Sequence, residues 1–196
     1  MWDERYSAEE YAYGTEPNDF LAEHAKKIPA GKVLCLAEGE GRNAVYLARQ
    51  GYEVTAVDAS SAGMQKAQRL ASDNEVTITT VVSDLADFQI EPDTYHGVVS
   101  IFCHIPEDMR ARLHRNVIAG LKPGGILLLE AYTPAQLKFG TGGPQTDELT
   151  MTMNALKKEL ADLEFLLARE IERDVIEGLY HTGRGAVVQL IAQKML

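Results

Sequence analysis

The constraint that most limits this chain is an alternation. Apolar runs at Lys32–Ala37, Tyr52–Val57, Val76–Val82, His96–Cys103 and Ile126–Tyr132 take turns with stretches of helical spacing. Lys32–Ala37 and Ile126–Tyr132 are apolar on nearly successive residues, as strands buried on both faces are. Between them, Ala44, Val45, Leu47 and Ala48 share one helical face, and so do Met64, Ala67, Gln68 and Ala71. Pro106 suits the first turn of a helix continuing to Ala119. Asn18 can cap an earlier helix running to about Ile28. Strands and helices in this order predict a doubly wound, mostly parallel sheet covered on both faces. After the fifth strand the pattern changes. Thr133–Thr150 is rich in Gly, Pro and Thr and reads as a loop, and Met153–Leu163 as a helix. Phe165–Val175 and Ala186–Gln193 read as strands with no helix between them, so they should pair antiparallel across a Gly178–Gly185 connection. With 196 residues, one core is expected: a single domain over 1–196 whose first 28 residues form a cap segment and helix.

The first strand runs into Glu38-Gly39-Glu40-Gly41-Arg42-Asn43 and then a helix. Glycines permit a sharp turn and close approach of a ligand, and the helix start offers unpaired N–H donors. The second strand ends in Asp58, whose carboxylate can accept from both hydroxyls of a ribose. Strand, Gly-x-Gly, helix, strand and terminal acid together point to an adenosine-containing ligand. A dinucleotide fits less well. Glu38 and Glu40 flank Gly39, and carboxylates are poor neighbours for a pyrophosphate. S-adenosylmethionine has no phosphate and carries a sulfonium and an ammonium, which suit those carboxylates. Asp84, ending the third strand, can accept from an adenine amino group, or can be a solvated turn residue.

The formal net charge of −10, with no Lys/Arg run, argues against a nucleic-acid partner. Cys35 and Cys103 lie in apolar runs and read as buried, reduced thiols; no Cys/His spacing suggests a metal. Trp2-Asp3-Glu4-Arg5 is polar, and no run is long enough to span a bilayer, so the expectation is a cytoplasmic protein with no membrane partner.

Taken together these motifs resemble the class I S-adenosylmethionine-dependent methyltransferases. Val33–Asn43 resembles their first motif, Asp58 their acidic strand end, Ser83-Asp84-Leu85 their adenine motif, and Leu121-Lys122-Pro123-Gly124-Gly125-Ile126 the turn before their fifth strand. Trp2-Asp3-Glu4-Arg5-Tyr6, Tyr13-Gly14-Thr15-Glu16-Pro17-Asn18 and Glu40-Gly41-Arg42-Asn43 are similar to the tellurite-resistance and thiopurine S-methyltransferase group. The resemblance implies a Rossmann-like, seven-stranded sheet ending in an antiparallel hairpin. It implies an N-terminal segment folded over the cofactor, and a thiol or a metalloid oxyanion such as tellurite as a small-molecule acceptor. It also implies a cofactor-binding set: Trp2, Tyr6 and Tyr13; Glu38, Gly39, Glu40, Gly41 and Asn43; Asp58, Ala59 and Ser60; Ser83, Asp84 and Leu85; Phe102 and His104. The first motif departs from the usual Asp-Leu-Gly-Cys-Gly, since Cys35 replaces the acid and Ala37 a glycine. Glu38 is the residue that could take over the carboxylate role toward the methionine ammonium.

Methyl transfer is an in-line displacement that needs alignment above all. Ligands of open α/β sheets sit beyond the carboxyl ends of the strands, which gathers Glu38, Asp58, Asp84, His104 and Tyr132 around one crevice. His104 is the candidate catalytic group because imidazole titrates near neutrality; its alternative role is packing against the cofactor. Tyr132, His181 and Arg184 are candidate substrate contacts, the last two on the hairpin connection, where they could also be solvated. The Gly140–Pro144 segment is expected to form a substrate lid. Two other classes stay open: an NAD-linked oxidoreductase, and a non-catalytic regulator that binds S-adenosylmethionine.

Overall fold

The computed structural model describes residues 2–196, and seven strands form one sheet: β1 (Lys32–Leu36), β2 (Glu53–Asp58), β3 (Thr79–Val82), β4 (Tyr95–Ile101), β5 (Leu121–Tyr132), β6 (Leu163–Glu177) and β7 (His181–Lys194). The helices are α1 (Trp2–Tyr6), α2 (Asp19–His24), α3 (Arg42–Arg49), α4 (Ser61–Asp73), α5 (Glu107–Gly120) and α6 (Met153–Glu159). The sheet order is β3-β2-β1-β4-β5-β7-β6. β1 pairs parallel with both β2 and β4, so the order reverses between β1 and β4. Such a reversal opens a crevice at the carboxyl ends of the two strands. β7 runs antiparallel to both β5 and β6, which is the closing hairpin expected from the sequence.

The continuous apolar runs fill both faces. Val33 and Cys35 of β1 join Leu47 of α3 and Met64 of α4 in one core, whereas Leu34 and Leu36 face Leu113 and Val117 of α5. β5 divides likewise, with Leu128 on the first side and Leu127 and Leu129 on the second. Alternate residues of a strand point to opposite faces, so a strand covered twice must be apolar throughout.

Several element ends differ from the sequence expectation. Asn18 caps α2 as expected, but the helix tightens into a 3-10 turn at Ala25–Lys27. β3 starts at Thr79 rather than Val76, because the Val76 amide donates to Ala71 O and closes α4. α6 stops at Glu159, short of Leu163, where β6 begins. The largest difference lies in the hairpin. Pairing continues to Glu177↔His181, so His181–Gly185 belongs to β7 and the turn is only Gly178-Leu179-Tyr180. Tyr132, the last residue of β5, pairs with Val187. Residues 181–186 therefore extend past the carboxyl edge of the sheet and overhang the crevice.

Candidate functional site

The glycine turn is built around backbone conformations that side chains disfavour. Ala37 has φ +49°, Gly39 +64° and Gly41 +92°. Ala37 stands where the resembling family has a glycine, and the positive φ supplies the reason for that glycine. A Cβ on Gly41 would lie 2.6 Å from Cβ of Ala67, so only glycine lets α3 start against α4. A Cβ on Gly39 would lie 2.7 Å from the Tyr6 hydroxyl, which rests on the turn. Glu38 folds inward. Its Oε1 accepts from the amides of Asn43 (2.9 Å) and Ala44 (2.8 Å), two of the first N–H groups of α3 that lack partners within the helix. Burial pushes the Glu38 carboxyl up to about 7 against the pull of those amides and Arg42. Beside it, burial and the charge of Glu38 hold the Cys35 thiol well above its usual value.

Asp58 closes the other side of the turn. Oδ2 accepts from Gly39 N (2.9 Å) and Oδ1 from Ser60 N (2.8 Å). Burial raises its pKa despite these bonds. Ser60 caps α4 through Gly63 N, and its hydroxyl donates to Asp3 of α1 (2.6 Å). Thus α1 is anchored at the start of α4 and lays Tyr6 over the turn. Trp2 stacks on Tyr6 at 5.7 Å but stays exposed. Ala59 and Asp84 are exposed on the rim, and the Asp84 carboxylate accepts from Ala86 N of its own turn (2.8 Å). Ser83 and Leu85 flank it, half-buried.

The opposite wall of the crevice is aromatic. Phe102, at φ +52° after β4, stacks on Tyr132 at 4.5 Å. The His104 ring lies parallel to Tyr132 at 5.6 Å. The His181 ring stands edge-on to Phe102 (4.8 Å) and Tyr132 (5.3 Å), with Tyr13 at 4.5 Å. His104 donates through Nδ1–H to Leu149 O (2.8 Å), so Nε2 carries the lone pair. That nitrogen is buried without a partner among the described residues. Burial pushes the His104 pKa down to about 4, so the ring is neutral at neutral pH. The loop after β5 covers this wall with bare backbone: a Cβ on Gly143 would fall 2.5 Å from the Tyr132 ring, and one on Gly142 would fall 2.2 Å from Tyr180 O. The Gly140–Pro144 segment therefore lies on the crevice side of the sheet.

Beneath the rings runs a buried charge network, most of which the sequence reading did not single out. Arg42 pairs with Glu177 at 2.7 Å, and His181 approaches the same carboxylate at 3.4 Å. Asn18 donates to Glu177 (2.8 Å) and Glu130 (2.6 Å). Arg173 grips Glu130 with two bonds of 2.8 Å. Burial would raise the Glu177 carboxyl, but His181, Arg42 and Asn18 hold it at about 2. Burial lowers the His181 pKa against the pull of Glu177. Arg42 and Asn18 lie within motifs already singled out, Asn18 also as the cap of α2, and that membership was the available signal. Glu130, Arg173 and Glu177 lie in strands and carry none.

Three expected site residues have other duties here. Asn43 accepts through Oδ1 from Asn18 N (2.9 Å), tying α3 to the N-terminal segment. Glu40 accepts from Ala12 N (2.8 Å) and ion-pairs with Lys66. Arg184, instead of facing the aromatic wall, is half-exposed and lies against Glu172 (3.5 Å) and Asp174 (3.8 Å) of β6. In a strand, neighbouring side chains point to opposite faces, so extending β7 to His181 decides which residues overhang the crevice.

Comparison with known proteins agrees with this layout. A family model described as a methyltransferase domain matches residues 33–125. A Haemophilus influenzae protein described as a probable S-adenosyl-L-methionine-dependent methyltransferase, TehB, is 28% identical over 153 residues, which are 74% of this chain and 50% of the relative. The chain thus spans half the length of that curated relative. The crystal structure of TehB from Haemophilus influenzae superposes with a TM-score of 0.75 at 23% identity, covering 98% of this chain and 65% of that one. The structure of the [4+2]-cyclase SpnF superposes at 0.69 with 15% identity, covering 95% and 89%.

Proposed function

We propose that this chain, a member of the class I S-adenosylmethionine-dependent methyltransferases in the TehB-like group, moves a methyl group from that cofactor to a small acceptor. The observation that carries the reading is Asp58, at the end of β2, beside Gly39, which follows β1 and borders the sheet's switch point. Each Asp58 oxygen accepts one amide and keeps a lone pair for a ribose hydroxyl. Asp84 on the rim can accept from the adenine amino group, with Ala59, Ser60, Ser83 and Leu85 around it. The carboxyls of Glu38 and Asp58 fit a cationic ligand, because backbone amides, with the charge of Arg42 acting on Glu38, still leave both with raised pKa values. When bound, S-adenosylmethionine supplies a methyl group on a positively charged sulfur. Tyr6 and Tyr13 then exclude water from above, and Phe102 and His104 close the β4 side.

For the acceptor, a thiol is favoured over an oxyanion such as tellurite. An oxyanion needs a cation beside the methyl. Within the chamber the guanidiniums are taken, Arg42 by Glu177 and Arg173 by Glu130, whereas exposed Arg5, bonded to the Tyr13 hydroxyl and lying over Tyr180, and half-exposed Arg184 would meet an anion at the rim rather than beside His104. The His104 Nε2 lone pair instead suits a neutral X–H group. At a pKa of about 4 His104 would align a neutral X–H acceptor by accepting its hydrogen bond, and the proton released on methylation would pass on to solvent rather than stay on the ring. His181 and Tyr132 form the other walls of the same chamber. We further place the whole chain in one cytoplasmic domain, without a nucleic-acid or membrane partner. Among the described residues no helix is long and apolar enough to cross a membrane.

The test is incubation with labelled S-adenosylmethionine and a panel of thiol, amine, hydroxyl and metalloid acceptors. Label transfer to thiols and not to tellurite is the expected result. Transfer to tellurite alone would reverse the acceptor assignment. A second reading, a non-catalytic regulator that binds the cofactor without methyl transfer, rests on the departure of Cys35, Ala37 and Glu38 from the usual first motif. Intact binding with no transfer across the panel would support it. Tight NADH binding without S-adenosylmethionine binding would overturn both readings in favour of an oxidoreductase.

A further inference from the structure

The N-terminal segment does more than lie over the site; it is fastened at two places. On the cofactor side, Lys66 of α4 donates to Ala8 O (2.9 Å) and Glu10 O (2.7 Å), while its ammonium pairs with Glu40. The Tyr11 ring covers the same ammonium at 4.7 Å. Glu40 in turn accepts from Ala12 N (2.8 Å). On the acceptor side, Leu179 N donates to Ala12 O (2.9 Å). A Cβ on Gly178 would fall within 2.5 Å of Ala12 O and Gly14 N, so the β6–β7 turn grips this backbone tightly. The two amide-plane partners of one residue, Ala12, therefore lie on opposite sides of the crevice. Between the two fastenings sits Tyr13, which packs on His181.

We propose that Glu40 and Lys66 form a latch that holds residues 8–14 across the crevice and sets how long the cofactor stays bound. The proposal rests on the functional reading above. It makes Glu40 a positioning residue acting through Ala12, and gives Lys66 a role that no cofactor motif assigns. Both partners are nearly buried, with side-chain exposures of 3% for Glu40 and 12% for Lys66, so water competes weakly for the pair. Opening the latch frees the strap on the cofactor side, while Leu179 and Gly178 still hold the other end. The chamber walls at Phe102, His104 and Tyr132 are untouched by such a change.

The experiment uses the full chain, Lys66→Met and Lys66→Arg. Amide hydrogen exchange on the ligand-free proteins reads the latch itself. Lys66→Met should speed exchange at Ala12 and at its neighbours in 8–14 without affecting Val57 or Leu128, and Lys66→Arg should restore protection. Dissociation of S-adenosylhomocysteine, followed by stopped flow, reads the consequence. Lys66→Met, which removes the bonds to Ala8 O and Glu10 O and the pair with Glu40, should release it at least about tenfold faster, the scale of a single charge-assisted hydrogen bond being the lower bound. The single-turnover rate at saturating cofactor should stay unchanged. Unaltered exchange at 8–14 overturns the latch. Faster exchange with unaltered dissociation overturns its link to cofactor dwell time. If the unaltered chain binds neither S-adenosylmethionine nor S-adenosylhomocysteine, the functional reading and the dwell-time claim both fall, and the exchange data still decide whether the latch exists.

Discussion

On the β1–β3 side of the crevice, Glu38 and Asp58 are buried against backbone amides and their pKa values are raised. On the β5–β7 side, Glu177 is buried against Arg42, His181 and Asn18, and its pKa is held at about 2. Glu159, which supports the same half from α6, is held there by His114 and Arg110 despite burial. Arg110 also donates to Thr150 O, at the end of the covering loop (3.2 Å). Burial acts on all four carboxyls in the same direction. What differs is the bonded partner: Glu38 and Asp58 accept from amides, with Arg42 acting on Glu38 by charge but without a bond, whereas Glu177 and Glu159 are bonded directly to Arg42 and Arg110. The first half is therefore short of positive charge, which a cationic ligand would supply. The second half is complete in itself and shapes a chamber rather than attracting an ion.

The largest test of the contrast is Arg173→Met. It leaves Glu130, which is fully enclosed, without its two-bond partner. The expected loss is about 3–5 kcal/mol by urea unfolding. Glu38→Gln retains an oxygen for the amides of Asn43 and Ala44 and should cost under about 1 kcal/mol. Equal losses would erase the difference between the halves.

Stability against pH gives the next effect, on the order of 1–3 kcal/mol for each side. Glu177 and Glu159 sit below the ordinary 4.5, so their contribution is present above 4.5 and is lost as pH falls toward 2. Glu38 sits above it, at about 7. The folded chain keeps a proton that the unfolded chain releases, so that contribution is present below 4.5 and is lost as pH rises through 7. Urea titrations across this range should show both slopes, and Glu38→Gln should remove only the neutral one. A neutral slope that persists in Glu38→Gln would assign it elsewhere.

Gly143→Val probes the chamber alone. Its φ is +88° and its Cβ would strike Tyr132, so the covering loop must shift. The acceptor KM should rise about tenfold, roughly 1.4 kcal/mol, with cofactor affinity unchanged. A parallel loss of cofactor affinity would mean that the two halves are not separable. The smallest effect is Ala37→Gly, which relieves a positive φ of 49° and should add up to about 1 kcal/mol in thermal or urea unfolding.

The same division explains what could be read from the sequence. The β1–β3 half is written in short local stretches: Glu38–Asn43 follows β1, Asp58 ends β2, Asp84 lies just past β3, and Ser60 caps the helix after β2. Local turn chemistry records these positions in the sequence. The β5–β7 half is assembled from distant strands. Glu130, Arg173 and Glu177 are unremarkable charged residues until the β5–β7–β6 pairing brings them together. The hairpin end was misjudged because His181-Thr182-Gly183-Arg184-Gly185 has the composition of a turn, whereas cross-strand pairing and burial of His181 keep it in β7. Glu38 and Glu40 were found by position, yet their bonds, to the start of α3 and to Ala12, depend on packing that no local pattern records.

The central claim is that the β1–β3 half binds S-adenosylmethionine through Asp58, independently of the chamber. Calorimetric titration of S-adenosylhomocysteine into the unaltered chain, Asp58→Ala and His181→Ala tests it most directly. The account predicts saturable binding, weakened at least about tenfold by Asp58→Ala, the scale of losing hydrogen bonds to a charged group, and unchanged by His181→Ala. Absence of binding, or binding that Asp58→Ala leaves intact, would contradict it.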